Sequence, residues 1–210
     1  MTTSTPHKHL LFVVSAPSGA GKTSLCIEAV NRLQAIHFSV SHTTRPMRNG
    51  EEHGKNYFFV TPDEFDGMLA RHEIAEWTEI YGNRYGTARQ TIAEAFAGDY
   101  DLLFDIDERG GRQLTDACDD VITILVVPPS LAELRRRLSG RGTEDDESLR
   151  RRLTRAKKEM AQMRWYKYII VNDLFEDAVG QLMAIITAER CRHGHGTIEE
   201  LLNEDDSCKG

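Results

Sequence analysis

The chain has 210 residues, 40% hydrophobic and 28% charged, which gives enough apolar material for one large domain and too much polarity for a membrane protein. A formal net charge of −7, from 33 acidic and 26 basic residues, argues against nonspecific nucleic-acid binding but still allows a locally basic nucleotide pocket. The scattered Cys26, Cys118, Cys191 and Cys208 contain no C-x-x-C pair, so they suggest neither a zinc site nor a redox motif and are expected to be reduced.

Residues 1–8 are polar. Leu10–Val14 is a continuous apolar run, as in a strand buried on both faces. It is too short for a signal-peptide core or a membrane span, so a cytoplasmic location and no membrane partner are expected. A glycine-bearing loop and a helix over Thr23–Leu33 follow. Phe38–Ser41, Tyr57–Val60 and Ile74–Trp77 read as short strands, with a helix starting near Pro62 and a hairpin turn at Gly82-Asn83. This stretch has the texture of a small antiparallel insertion.

The α/β alternation then resumes. Thr91–Ala97 is predicted helical. Leu102–Asp107 reads as a buried strand ending in two carboxylates, and Val121–Val127 as another strand, stopped by Pro128-Pro129. Ser130 is placed to cap a helix over Leu131–Leu138. A glycine- and charge-rich loop spans Ser139–Asp146, and a long basic helix spans Glu147–Met163. Tyr168–Val171 is the last strand and Phe175–Arg190 the last amphipathic helix, before a polar tail over 191–210.

Ala16-Pro17-Ser18-Gly19-Ala20-Gly21-Lys22-Thr23 matches the phosphate-loop pattern G-x-x-x-x-G-K-[ST] except for alanine at its first position. Small residues let backbone N–H groups wrap phosphates, and the helix that follows points its N-terminus at the anion. Lys22 can reach β- and γ-phosphate oxygens, and Thr23 can ligate Mg²⁺. With a buried strand before it and a helix after it, the segment through Ser24 predicts ATP binding and a three-layer α/β fold on a parallel sheet.

Further motifs point to the acceptor. Ser41-His42-Thr43-Thr44-Arg45-Pro46-Met47-Arg48, Gly50-Glu51, Gly54-Lys55-Asn56-Tyr57, Glu76-Trp77 and Gly82–Thr87 resemble, in order, the GMP-binding segment of guanylate kinases. Phe104–Asp107, Gly140–Glu144 and Val171-Asn172-Asp173 extend the resemblance, which runs from about Leu11 to Arg190. It implies a core of residues 9–37, 88–138 and 164–190, a GMP-binding insertion over 38–87 and a mobile lid over 139–163. The implied reaction is transfer of the γ-phosphoryl of Mg-ATP to GMP or dGMP.

The implied roles suit the chemistry. Arg45 and Arg48 can fork onto a phosphate dianion, aided by the hydroxyls of Tyr57 and Tyr85. A carboxylate can accept from guanine N1–H and its amino group but is repelled by the N1 lone pair of adenine, and Glu76 is the matching residue. Ser41 and Thr87 can donate to the base, and Asp107 can accept from it. Lys22, Arg45, Arg141, Arg152 and Asp105 are implied as the catalytic set, with Asp105 holding a magnesium water or a phosphate-binding group. Asn172 matches a residue near the adenine. Arg135, Arg136, Arg137, Arg150, Arg151 and Arg155 are read instead as solvated helix charges.

Three other readings compete: a peptide-binding scaffold domain that has lost catalysis, a kinase for another acceptor, and a nucleic-acid binder using the basic helix. The intact Gly21-Lys22-Thr23, the Glu76, Ser41 and Thr87 trio, and the acidic total weigh against each in turn. The oligomeric state stays open, a homo-oligomer included.

Overall fold

Strand β1 (Leu11–Ser15) is buried along its whole length, as an unbroken apolar run requires when both faces are covered. The other strands of its sheet are Ile36–Phe38 (β2), Asp101–Asp105 (β7), Ile122–Val127 (β8) and Tyr168–Val171 (β9). The sheet runs β2-β7-β1-β8-β9, and every pairing is parallel. This computed structural model describes residues 9–139 and 146–192.

Alternate side chains of β1 serve opposite faces. Phe12 and Val14 pack under α1 (Lys22–Arg32) and α7 (Phe175–Arg190), while Leu11 and Val13 pack under α3 (Arg89–Gly98) and α4 (Glu108–Ala117). Each fully buried side chain of this size contributes ~1.5–3 kcal/mol. The two clusters therefore hold the phosphate loop, which leaves the end of β1, on a rigid platform.

A second sheet contains β3 (His42–Thr43), β4 (Phe58–Phe59), β5 (Ile74–Ile80) and β6 (Asn83–Ala88), in the order β4-β3-β6-β5. Its β3–β4 pair is parallel and the other two pairs are antiparallel. Tyr81 and Gly82 turn β5 into β6 with φ of 51° and 77°, the two positive values of a tight hairpin turn. Helix α2 (Pro62–Ala70) starts where Pro62 suggests, under a capping box of Thr61 and Glu64.

The sequence suggests one strand over Phe38–Ser41, but the chain changes sheets there. Ser39 N–H still donates to Leu103 O at 2.9 Å, and Ser41 O already accepts from Phe58 N–H at 2.9 Å. Helix α4 is absent from the sequence reading, and its Gly110-Gly111 pair is the reason. Both glycines answer to packing. A Cβ on Gly111 would lie 3.0 Å from Val13 Cγ1 and 2.9 Å from the Trp165 ring, and one on Gly110 would lie 2.3 Å from Glu76 Oε2.

Helix α4 also joins the two sheets. Strand β5 is an edge strand, and Gln113 pairs with it as a further strand would. The Gln113 amide accepts from Trp77 N–H at 3.1 Å and donates to Trp77 O at 2.7 Å. Beyond β8, α5 (Leu131–Ser139) starts with Ser130 Oγ accepting from Glu133 N–H at 3.1 Å. Helix α6 (Asp146–Ala161) packs on α5 through Leu134, Leu138, Leu149 and Ala156, a cluster separate from the sheet cores.

Candidate active site

The phosphate loop is shaped by its own backbone and by one buried amide. Gly21 has φ of +86°, in the left-handed region, and a Cβ there would lie 2.8 Å from Asn172 Nδ2. Asn172 is 4% exposed and donates to Ala20 O at 2.7 Å, so it clamps the loop from beneath. Neither it nor Ala20 lines the cavity that the loop opens into.

Lys22, on the first turn of α1, forms an ion pair with Asp105 at the end of β7 and donates to Ile106 O at 3.1 Å. The Thr23 hydroxyl donates to the other oxygen of Asp105. One carboxylate therefore gathers both groups that the loop motif sends toward phosphate.

The cavity is about 380 Å³ and extends from this loop to the second sheet. Ala16, Pro17, Ser18, Gly19, Gly21, Lys22, Thr23 and Ser24 form the donor-side wall. On the other side stand Ser41, Tyr57, Glu76, Tyr85 and Asp107, joined by Thr78. Side chains from both sheets thus converge on one space.

Glu76 is the most unusual of them. It is 1% exposed, and its Oε1 accepts from the Thr87 hydroxyl at 2.7 Å across the β5–β6 pair. Oε2 is buried without a hydrogen-bond partner. Burial raises its pKa to about 7, against the opposing Thr87 hydrogen bond and with help from the Asp107 charge. A buried acceptor left open is costly, and it marks the place where a donor-bearing ligand belongs. Thr87 is fully buried behind Glu76 and does not line the cavity, so it orients the carboxylate.

Asp107 is engaged at both oxygens. Oδ1 accepts from Gly110 N–H at 3.1 Å and so caps α4. Oδ2 accepts from the Thr78 hydroxyl at 3.3 Å and from Arg109 Nη2 at 3.1 Å.

Arg45 and Arg48 lie off the cavity wall. The Arg45 guanidinium is held bidentately by Glu51, at 2.7 and 3.0 Å, and lies 5.4 Å from the Tyr57 ring centroid. The Glu51 hydrogen bonds raise the Arg45 pKa further and lower that of Glu51. Arg48 is exposed and donates its backbone N–H to Glu51 Oε2 at 2.7 Å. Burial, with the nearby Asp105 charge, pushes the Tyr57 phenol up to about 12, so it remains a hydrogen-bond donor.

From α6, Arg152 Nη2 donates to Ser18 Oγ of the loop at 2.6 Å. Arg141 lies outside the described residues, as do 140–145 and 193–210. Arg136 is exposed and pairs with Glu133 as a solvated helix charge does, and the less exposed Arg137 shares that carboxylate. Arg155 does not fit that expectation. It is half-buried, lines the cavity and brings its Nη2 to 3.9 Å from Asp107 Oδ2 at the start of α4. Its signal was its spacing, three residues after Arg152 and so on the same helical face. Glu51, Thr78 and Gln113 were missed too, and only Glu51 stood inside a quoted motif.

Known proteins resemble this chain along most of its length. A family model described as Guanylate kinase matches residues 8–189. The chain is 50% identical to a guanylate kinase of Geobacter sulfurreducens, over 87% of this chain and 90% of the relative. It is also 50% identical to a guanylate kinase of Syntrophotalea carbinolica, over 87% of each. A crystal structure of guanylate kinase from Anaplasma phagocytophilum superposes with a TM-score of 0.79 at 30% identity, covering 95% of this chain and 96% of that one.

Proposed function

The chain belongs to the guanylate kinase family, and from that premise we propose that it transfers the γ-phosphoryl group of ATP to GMP or dGMP, reading guanine through Glu76. The observation that carries the base-reading role is the buried carboxylate of Glu76 in the cavity wall, whose Oε2 has no hydrogen-bond partner. Guanine brings two adjacent donors, N1–H and the 2-amino group, to an acceptor that lacks one. AMP would place a lone pair against the same oxygen. A site built on buried hydrogen bonds rejects the wrong edge strongly.

The two substrates meet in line at the centre of the cavity, and positioning supplies most of the catalysis. The GMP phosphate is itself the nucleophile, so no strong base is required. Backbone N–H groups of 18–24 hold the β-phosphate of ATP. Lys22 leaves Asp105 for the phosphate oxygens, and Arg152 follows from the lid side. Tyr57, Tyr85 and Ser41 donate to the acceptor. Arg45, with Arg48, turns from Glu51 toward the acceptor phosphate, and Arg141 adds charge from the lid. Asp107 fixes the start of α4 beside the base.

The donor set on this wall fits Mg²⁺. The Thr23 hydroxyl and the Asp105 carboxylate are hard oxygen ligands side by side, and Mg²⁺ commonly takes one or two such groups with phosphate oxygens and water. Among the described residues no cluster of three His, Cys, Asp or Glu forms a metal cage, so ATP would bring the ion with it. When bound, it would neutralise charge on the β- and γ-phosphate oxygens.

The domain division that this reading implies is a core of residues 9–37, 88–138 and 164–190, an acceptor insertion over 38–87 and a lid over 139–163. No helix among the described residues is long and apolar enough to cross a membrane. Together with the substrates, this supports work in the cytoplasm. The test is ADP release with Mg-ATP and each of GMP, dGMP, AMP, CMP and UMP. Turnover confined to the two guanine nucleotides is the expected result; comparable turnover with AMP overturns the base-reading role.

A further inference from the structure

Helix α6 touches both sides of the cavity from one face. Arg152 reaches the donor side, through Ser18 of the phosphate loop. One turn later Arg155 reaches the acceptor side, where its Nη2 lies 3.9 Å from Asp107 Oδ2 and its Cζ lies 5.7 Å from the Tyr81 ring centroid. Glu159, a further turn on, accepts from Arg155 Nε at 2.7 Å and fixes the guanidinium in that direction. Tyr81 is 77% exposed at the tip of the β5–β6 hairpin, so nothing in the core requires it there. The contacts join α6 to the two elements that flank Glu76, namely the α4 N-terminus and the β5–β6 hairpin.

We infer that Arg155 is a positioning residue for the acceptor: it ties the Arg152 helix to Asp107 and Tyr81, so that Arg152 is brought to the phosphates when the guanine side is in place. This rests on the reading of Glu76 and Asp107 as the guanine side. The link is ionic on one side and cation–π on the other, and neither is fully desolvated. Its effect is accordingly a modest bias on where α6 sits, and it belongs to the acceptor side of the reaction. Arg155 itself touches no reacting atom in this scheme.

The test is steady-state kinetics of Arg155→Ala, Arg155→Lys and Tyr81→Ala, with Glu76→Gln measured beside them. Arg155→Ala should raise KM for GMP about five- to tenfold and lower kcat several-fold, with KM for ATP unchanged. Arg155→Lys, which keeps the charge, should recover most of the GMP effect, and Tyr81→Ala should show a smaller version of it. A general loss of folded enzyme would lower kcat alone. An unchanged KM for GMP in Arg155→Ala, or an equal rise for both substrates, overturns the inference. Glu76→Gln separates the two ideas: if it too leaves GMP unaffected, the guanine reading fails, and if it alone weakens GMP, only the Arg155 link fails.

Discussion

At the scale of single residues, Glu76 couples recognition to pH. Its pKa stands at about 7 in the folded chain against an ordinary 4.5, because burial disfavours the carboxylate. Between those values the folded state holds a proton that the unfolded state has lost, so stability falls as pH rises from 4.5 to 7. The shift corresponds to a penalty on the order of 3 kcal/mol above the window. Urea unfolding should show that decline in the wild type, and Glu76→Gln should flatten it. Binding runs the other way, since guanine needs the carboxylate. Affinity for guanosine, which has no phosphate to titrate, should rise about tenfold per pH unit toward 7 and then level off. A guanosine affinity flat across that range would contradict the role.

At the scale of elements, the site depends on how α4 approaches β5. Gly110 is the point of contact, and a Cβ there would lie 2.3 Å from Glu76 Oε2. Gly110→Ala should therefore displace the carboxylate and weaken GMP about tenfold or more, while ATP binding stays the same. Equal GMP binding by the two proteins in equilibrium titration would show that the approach is unimportant.

This element is also where the sequence was hardest to read. The phosphate loop, β1, β9 and α7 were legible because an unbroken apolar run or a 3.6-residue period declares them. Helix α4 was not, because the glycines that let it lie against Glu76 and Val13 weaken its helical signature. Pairs made across long separations are similarly silent. Nothing local in Gln113 announces that it pairs with Trp77, 36 residues away. Arg155 was misread for the same reason, since a basic run looks alike whether it faces water or Asp107.

At the scale of the whole molecule, one buried charge ties the last helix to the sheet that carries the phosphate loop. Asp101, fully buried at the start of β7, accepts from Leu10 N–H at 2.9 Å and from Arg190 Nε at 2.8 Å. Arg190 Nη2 also donates to Gln34 O and Ala35 O at 2.8 and 2.9 Å, which closes the turn between α1 and β2. Breaking one partner of a buried pair costs about 3 kcal/mol. Asp101→Asn should lower the urea midpoint accordingly while leaving KM for both substrates alone, because the pair lies away from the cavity wall. An unchanged midpoint would show that the pair contributes nothing net.

The central claim is that the open oxygen of Glu76 selects guanine, and isothermal titration of GMP and of ATP into wild type and Glu76→Gln tests it most directly. Removing a charged acceptor from paired donors in a buried site is worth about 3 kcal/mol or more. The account predicts that GMP affinity falls at least about a hundredfold, by that conversion, with ATP affinity unchanged. GMP binding as tight to Glu76→Gln as to the wild type would contradict it.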